Sequence, residues 1–197
     1  MIIDIFGIEE NDQKIVDRLL VDGPLNFYYN ACSTSYRFPF MSHILANRNE
    51  HITEEVSQYY QIFYGILKKF TDKHGLFVNK ILRACINGTC PDHRFEMLDP
   101  HVDQNRAHFV CIMYLNDLST PPEDPAGSTI LFNQTFPEAG LPECCDVADP
   151  EVMKNFTIAH EIHPQKGTIL CFGGNTYHTI RPPKNGDYRF VAVFNFV

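Results

Sequence analysis

The spacing of hydrophobic residues changes near Gly75. Before this residue, apolar side chains recur every three or four positions in two stretches, which is the pattern of amphipathic helices. After it, short runs rich in β-branched and aromatic residues are separated by Gly, Pro, Asn and Asp, as in antiparallel sandwiches and barrels. We therefore expect a single domain over residues 1–197, in which a helical segment at 1–75 supports a β-rich core at 76–197.

The front segment contains the two predicted helices. The first has Asn11 or Asp12 at its N-cap and ends at Gly23, and the second begins at Thr53 and ends near Gly75. Their apolar stripes are Ile15, Val16, Leu19 and Leu20 in the first helix, and Val56, Tyr59, Tyr60, Phe63, Ile66, Leu67 and Phe70 in the second. The second stripe is wide enough to lie on a sheet. Between the helices, where prolines interrupt the pattern, we expect a short strand and a loop.

The rear segment contains eight candidate strands, near residues 76–87, 95–101, 107–115, 128–133, 156–163, 167–172, 176–181 and 187–197. The last strand is apolar on both faces: Phe190, Ala192, Phe194 and Phe196 alternate with Val191, Val193 and Val197. A strand buried on both sides needs a cover beyond the opposing sheet, and the two front helices can provide it. The pattern therefore predicts a two-sheet barrel backed by helices.

Residues 134–155 interrupt this series of strands without any clear periodicity. The stretch contains three prolines and five acidic residues. Loops of this length inside compact domains are usually functional or disordered. Because the stretch lies between two barrel strands, it is a candidate lid at the mouth of the barrel.

Composition and charge narrow the class of protein. The chain is 44% hydrophobic and 20% charged, which is enough for a sizeable core. No stretch approaches the roughly 20 apolar residues that cross a bilayer, and the acidic start does not resemble a secretory signal. A net charge of −8, with no basic cluster longer than Lys68-Lys69, argues against nucleic acids and anionic membranes as partners. We expect a soluble protein that is not exported.

The cysteines favour a reducing compartment. Seven cysteines cannot all pair, and Cys85, Cys111 and Cys171 fall inside apolar runs where a free thiol behaves as a small hydrophobic group. The separation of Cys85 from Cys90 does not match a zinc ribbon, and the adjacent Cys144-Cys145 pair has no second pair to complete one. We therefore predict a cytoplasmic location.

Two histidines and an aspartate form the strongest candidate for chemistry. His101 and Asp103 are two residues apart in an extended segment, so both side chains can reach one metal ion. His178 follows a buried strand and the turn Gly173-Gly174-Asn175, and offers a third ligand on a neighbouring strand. Arg189 comes eleven residues later, at the start of the last strand. The set matches the 2-His-1-carboxylate triad of non-haem iron oxygenases, together with an arginine that can bind a carboxylate through two charge-assisted hydrogen bonds.

On these residues the chain resembles the Fe(II)/2-oxoglutarate-dependent dioxygenases, and among them most closely the prolyl 4-hydroxylases. The resemblance runs from about Leu76 to Val197, about 60% of the chain, in the strand order of that family's double-stranded β-helix. The matching segments are HVD at 101–103, FVCIMYLND at 109–117, GSTILF at 127–132, KGTILCF at 166–172, His178, and DYRFVAVFNF at 187–196. The resemblance implies a mainly β fold, a double-stranded β-helix of the jelly-roll or cupin type.

The resemblance also implies the roles of the site residues. His101, Asp103 and His178 bind Fe(II), Arg189 binds 2-oxoglutarate, and Tyr114 hydrogen-bonds the distal carboxylate of that cosubstrate. The implied reaction uses O2 and 2-oxoglutarate, releases succinate and CO2, and hydroxylates an unactivated C–H bond; ascorbate is a further expected cofactor. Three protein ligands on one face of an octahedral iron leave three positions for the cosubstrates, whereas a closed zinc site leaves none.

The substrate is less well defined, because in this superfamily the barrel determines the oxidant and the loops select what is oxidised. A prolyl or similar residue in a peptide or protein is the first hypothesis, and a free amino acid or small metabolite is the second. An open groove beside His178 favours the peptide, and a closed pocket favours the metabolite. Arg181 and Tyr28 are candidate substrate contacts.

Other functional classes are less favoured. A barrel that binds metal or 2-oxoglutarate without turnover is a third hypothesis, against which the complete ligand set argues. Repair of alkylated nucleic acid is disfavoured by the charge. His160, Glu161 and His163 lack the i, i+4 spacing of a zinc hydrolase, so we expect a strand with exposed polar residues there. The sequence does not predict the oligomeric state.

Overall fold

The computed structural model describes residues 1–23, 25–30, 38–47, 53–121 and 123–197. The helices are α1 (Glu10–Val21), α2 (Tyr60–Lys73) and α3 (Pro150–Met153). The strands are β1 (Ile2–Asp4), β2 (Tyr28–Asn30), β3 (Phe40–Asn47), β4 (Glu54–Glu55), β5 (Ile81–Thr89), β6 (Phe109–Tyr114), β7 (Thr129–Thr135), β8 (Ile158–Ile162), β9 (Ile169–Gly173), β10 (Thr176–Ile180) and β11 (Arg189–Phe196). None of the helices in these ranges is long and apolar enough to cross a membrane.

Two antiparallel sheets form the barrel. The larger sheet has eight strands in the order β1-β9-β6-β11-β5-β3-β2, with β4 paired to β3. The smaller sheet has the order β10-β7-β8. The prediction of a mainly β, double-stranded β-helix with supporting helices is confirmed.

Strand β11 lies in the middle of the larger sheet, between β5 and β6, and is buried on both faces. On one face, the ring of Phe194 lies 6.4 Å from that of Tyr60 on α2 and joins a cluster shared with both long helices. On the other face, Val191 and Val193 lie inside the barrel. The two-sided apolar pattern of this strand therefore correctly predicted a strand that is buried on both faces and covered by helices.

Helix α2 is shorter than predicted. It begins at Tyr60 rather than Thr53, because Glu54–Glu55 pairs with β3 as strand β4. The hydroxyl of Thr53 donates to the carbonyl of Ile81 on β5. Tertiary pairing thus overrides the helical spacing of the first seven residues of this stretch.

Helix α1 also starts earlier than predicted. Its N-cap residue is Glu9, whose side chain makes no capping hydrogen bond, so the predicted cap at Asn11 or Asp12 is wrong. Asp12 lies inside the first turn and forms an ion pair with Lys69 of α2 at 2.8 Å. The predicted end is correct, since Gly23 adopts a left-handed backbone with φ of 76°.

The predicted set of strands needs correction in four places. Strands β1 and β3 were not predicted, although β3 pairs with β5 and extends the larger sheet. Strand β5 begins at Ile81, five residues later than expected. Residues 95–101 form no strand; Leu98 and His101 each donate to β10, but Pro100 has no N–H and the ladder is interrupted.

Residues 134–155 are not a structureless loop. The segment begins inside β7 and contains α3. It is attached to the residues around His101, because Cys145 N–H donates to the carbonyl of Pro100 at 2.8 Å and Val102 N–H donates to the carbonyl of Glu143 at 2.9 Å. A lid movement of this segment stays a prediction.

Replacing Leu67 of α2 with alanine should lower the free energy of unfolding by about 2–5 kcal/mol, because the side chain is fully buried and its removal leaves a cavity. Chemical denaturation measures the change. Gly65→Ala, on the same helix, is the matched control: a Cβ there meets no atom within 4 Å, and alanine should raise stability by up to about 1 kcal/mol. Equal loss of stability in both variants would contradict this account of the packing.

Candidate metal centre

Three side chains that can bind a metal converge at one end of the barrel. The ligand atoms of His101, Asp103 and His178 all lie within 4.8 Å of one another, and these residues form the one such cluster in the part of the chain that the structure describes. His101 and His178 exchange two backbone hydrogen bonds, each with an N–O distance of 3.0 Å. This pairing places their ring centroids 4.6 Å apart. The structure therefore brings together the three residues that the sequence singled out.

Backbone carbonyls orient both imidazole rings. Nδ1 of His101 lies 3.0 Å from the carbonyl oxygen of Asp99, and Nδ1 of His178 lies 3.1 Å from that of Thr176. An Nδ1–H that donates to a carbonyl leaves Nε2 unprotonated and able to bind a metal. Burial, reinforced by the neighbouring His101, lowers the pKa of His178 to about 4. At neutral pH this imidazole is therefore in the uncharged form that a metal requires.

The carboxylate of Asp103 is fixed by the larger sheet. Nδ2 of Asn195, on β11, donates to its Oδ2 at 2.7 Å. Burial alone raises the pKa of Asp103, but His178, Arg83, His101 and the hydrogen bond from Asn195 together bring the pKa below its usual range. Asp103 is therefore ionised, as a metal ligand must be.

A cavity of about 280 Å³ connects the three ligands to the opposite end of the barrel. Arg189 lines that opposite end, and four apolar side chains lie between the two ends: Val110, Ile112, Val191 and Val193. Arg189 is paired with Thr89, and Asn195 with Arg83, across β11 and β5. Arg189 and Asn195 are thus six residues, or about 20 Å, apart along the strand backbone, but the Arg189 guanidinium reaches Thr129, whose cross-strand partner Ile180 is two residues from His178.

Arg189 is a buried cation without a carboxylate partner. It is 3% exposed, and no carboxylate of the described residues lies within 4.0 Å of its guanidinium. Its Nη2 donates to Oγ1 of Thr129 at 2.7 Å, but its buried Nε has no hydrogen-bond partner. Burial lowers its pKa, while Tyr114, whose ring centroid is 5.2 Å from the guanidinium carbon, acts in the opposite direction. A buried guanidinium in this state fits an anionic ligand such as a dicarboxylate, because a buried charge is costly until it is paired.

Thr129 is a cavity residue that the sequence analysis missed. Its hydroxyl accepts hydrogen bonds from both Arg189 and Tyr114, the latter at 2.6 Å. With two bonds accepted, it has its own proton left to donate. Thr129 lines the cavity, with the fully buried Tyr114 bonded to it. A direct contact of Tyr114 with a cosubstrate stays a prediction. The one sequence feature that could have identified Thr129 was its place, as a polar residue, in the buried strand of the GSTILF segment.

The two predicted substrate contacts lie elsewhere on the molecule. Nε of Arg181 donates to Oε1 of Glu161 at 2.6 Å, and neither residue lines the cavity. Burial raises the pKa of Glu161, but the hydrogen bonds from Arg181 and Ser128 outweigh it and lower the pKa. Tyr28, on β2, is 67% exposed and also lies outside the cavity lining. Their contact with a substrate stays a prediction.

The motif at His160 and Glu161 is a strand, as expected. Both residues lie in β8 with exposed side chains, and His163 follows the end of that strand. These residues belong to no metal-binding group within the described ranges. The structure therefore agrees with a strand and gives no support to a zinc hydrolase site.

Comparisons with known proteins bear on the fold. A scan against protein-family models and a search of curated proteins gave no match. Among solved structures, a 2OG-Fe(II) oxygenase family oxidoreductase from Burkholderia pseudomallei matches 96% of this chain and 80% of its own, with a TM-score of 0.62 and 15% identity. A Trichoplax adhaerens prolyl hydroxylase, solved with a hypoxia inducible factor oxygen degradation domain peptide, matches 99% of this chain and 82% of its own, with a TM-score of 0.59 and 11% identity.

A third similar structure was solved with bound ligands. HygX from Streptomyces hygroscopicus, solved with nickel and 2-oxoglutarate, matches 99% of this chain and 81% of its own, with a TM-score of 0.59 and 13% identity. At such identities the likeness establishes the fold, and it agrees with the resemblance found in the sequence. The chain has the double-stranded β-helix fold of the 2-oxoglutarate/Fe(II) oxygenase and prolyl hydroxylase structures.

Proposed function

We propose that this protein is an Fe(II)- and 2-oxoglutarate-dependent dioxygenase that hydroxylates an unactivated C–H bond. One observation carries the proposal: a single cavity has three convergent metal ligands at one end and a buried, incompletely paired arginine at the other. A metal site alone, or a buried arginine alone, fits many proteins. Together in one apolar cavity they fit a metal-chelating acid whose second carboxylate reaches the arginine.

The three donor groups suit an Fe(II) ion. His101, Asp103 and His178 would hold the metal through two nitrogens and one carboxylate oxygen, which leaves coordination positions for a 2-oxo acid and O2. When bound, Fe(II) with 2-oxoglutarate and O2 supplies the oxidising equivalent, with succinate and CO2 as co-products. Ascorbate as a further cofactor is part of the same proposal.

The chain's own residues bind and orient the cosubstrate, and they keep water out of the cavity. Arg189 and the remaining Thr129 proton provide donors for a distal carboxylate, while the Tyr114 hydroxyl donates to Thr129 and its ring lies beside the Arg189 guanidinium. The valines between the two ends make the cavity apolar, which strengthens charge–charge contacts and keeps water away from the reacting groups. The hydrogen bond from Asn195 to Oδ2 fixes the orientation of the Asp103 carboxylate toward the metal.

A prolyl or similar residue in a peptide or protein is the proposed substrate. One observation supports it: one similar structure is a prolyl hydroxylase with a bound peptide. At about 280 Å³ the cavity is just below the usual range for small-molecule sites, about 300–1,000 Å³. A free amino acid or small metabolite is the alternative, and the compact cavity favours it. Arg181 and Tyr28 are proposed as substrate contacts outside the cavity.

Anaerobic reconstitution with Fe(II) and 2-oxoglutarate tests the proposed function. We expect the weak visible charge-transfer band of the chelate, followed by slow succinate formation when O2 is added. Folded protein that gives neither the band nor succinate would favour a non-catalytic barrel. A band without succinate would support binding but contradict the proposed turnover.

Replacing His178 with alanine should weaken Fe(II) binding by at least about 100-fold, because one of three ligands is removed. Competition titration under anaerobic conditions measures the affinity. His160→Ala, on the exposed face of β8, is the control and should bind like the wild type. Retained affinity in His178→Ala would contradict the ligand assignment.

Loss of the arginine site should raise the 2-oxoglutarate requirement. Arg189→Ala should increase the concentration needed for half-maximal succinate formation by about 10- to 100-fold, since a charged hydrogen bond contributes about 1.5–3 kcal/mol. Thr129→Val removes the hydroxyl but keeps the shape, and should give a smaller shift. Arg18→Ala, on the exposed side of α1, is the control. An unchanged requirement in Arg189→Ala would refute the assignment.

A further inference from the structure

A second arginine lines the cavity, at the end where the metal ligands lie. Arg83 is on β5, and its side chain is 21% exposed, so the guanidinium is largely buried but reachable from the cavity. Its Nη1 lies 3.9 Å from Oδ1 of Asp103, and it makes no hydrogen bond to any residue of the described ranges. The proposed binding of the metal and of 2-oxoglutarate does not use this residue.

Asp103 is an incomplete partner for Arg83. The distance of 3.9 Å is about 1 Å longer than a charge-assisted hydrogen bond. Oδ2 of Asp103 already accepts from Asn195, and metal binding uses the same carboxylate. Asp99, the other carboxylate of the cavity lining, accepts from the backbone N–H of Val147 and lies more than 4.0 Å from Arg83. Arg83 therefore has donors that no described residue satisfies.

Arg83 and Arg189 start from different positions along the paired strands. Arg83 faces Asn195 across the β5–β11 pair, whereas Arg189 faces Thr89, six residues further along β5. This corresponds to about 20 Å between their positions along the strands. The cavity thus offers two separate cationic positions, with the metal ligands beside Arg83.

The apolar side chains near Arg83 indicate what kind of ligand fits this end of the cavity. Val110 and Val193 line the cavity and provide an apolar wall on β6 and β11. A ligand that fits this end has an anionic group for a guanidinium fork and a short carbon skeleton for the valines. A carboxylate matches the fork with two parallel hydrogen bonds and is small enough to lie beside the metal ligands.

We propose that Arg83 binds a carboxylate of the substrate, so that the carbon to be oxidised is held beside the metal by its own acidic group. The inference rests on the proposed dioxygenase activity, and within it favours a free amino acid or an acidic residue of a peptide over a neutral prolyl residue. The carboxylate belongs either to a free amino acid or to an acidic side chain of a peptide. Arg83 is then a specificity-determining residue, and its loss leaves metal and 2-oxoglutarate binding intact.

The test compares acidic and neutral compounds in the reconstituted protein. Pooled free L-amino acids are matched with the pool of their α-amides, and pooled capped peptides that contain Asp or Glu are matched with peptides that contain Asn or Gln. Succinate formation above the uncoupled rate is measured for the wild type, Arg83→Gln, Arg83→Lys and the surface control Arg18→Gln. Thermal unfolding and the charge-transfer band are recorded for each variant.

We expect one acidic pool to stimulate succinate formation and its neutral counterpart not to. In Arg83→Gln the concentration of that pool needed for half-maximal stimulation should rise about 10- to 100-fold, with an unchanged 2-oxoglutarate requirement and an unchanged band. Arg83→Lys should recover part of the effect, because it keeps the charge but loses the fork. Which acidic pool responds identifies a free acid or a peptide.

Several outcomes overturn the inference. Equal stimulation by neutral pools, or no stimulation by either acidic pool, would remove the acid requirement. A wild-type response in Arg83→Gln would show that Arg83 does not bind the substrate, and a raised 2-oxoglutarate requirement or weaker metal binding would assign it to the cosubstrate or to Asp103. Failure of the proposed function is distinguishable, because it removes the band and the uncoupled succinate from the wild type itself.

Discussion

The backbone pairing of His101 with His178 is the contact on which the candidate site depends. Two hydrogen bonds of 3.0 Å hold the segment that carries His101 and Asp103 against β10 of the smaller sheet. Asp103 is then bonded to Asn195 of the larger sheet, 92 residues away in the chain. The ligands are therefore fixed by both sheets, and the separation between the sheets sets the distance between the ligands. A site built on paired backbone loses little freedom when a metal binds.

The segment from 141 to 147 pairs with His101 on the side opposite His178 and so supports the His101–His178 pairing. Cys144 forms a bridge with His101, so His101 has a paired neighbour on each side. Val147 N–H donates to the carboxylate of Asp99, whose carbonyl in turn lies 3.0 Å from Nδ1 of His101. The long insertion between β7 and β8 thus supports the orientation of His101, a candidate metal ligand. It packs against the outer side of the smaller sheet, where Cys145 joins a cluster with Tyr177.

The sequence predicted the structure correctly where the pattern within a single strand was sufficient. The alternation in β11 indicated a strand buried on both faces, and the H-x-D spacing indicated two polar side chains on one side, because both depend only on local geometry. It failed where long-range pairing decided the outcome. Residues 54–55 pair with β3 in spite of the helical spacing around them. The Asn195–Asp103 bond and the doubly bonded Thr129 hydroxyl join distant segments, so no local pattern contains them.

The front segment was predicted as support, but it also forms part of the cavity. Strand β3 pairs with β5 so that Phe40 lies opposite Thr89, and the residues from 38 to 40 line the cavity. Because Thr89 itself faces Arg189, this wall belongs to the end away from the metal ligands. Arg83 lies at the other end of β5, one residue before Ala84, where the pairing with β3 ends in the described part of the chain. Under the two proposals, the ends of this strand have separate roles: residues near Thr89 would enclose the cosubstrate, and Arg83 would select the substrate.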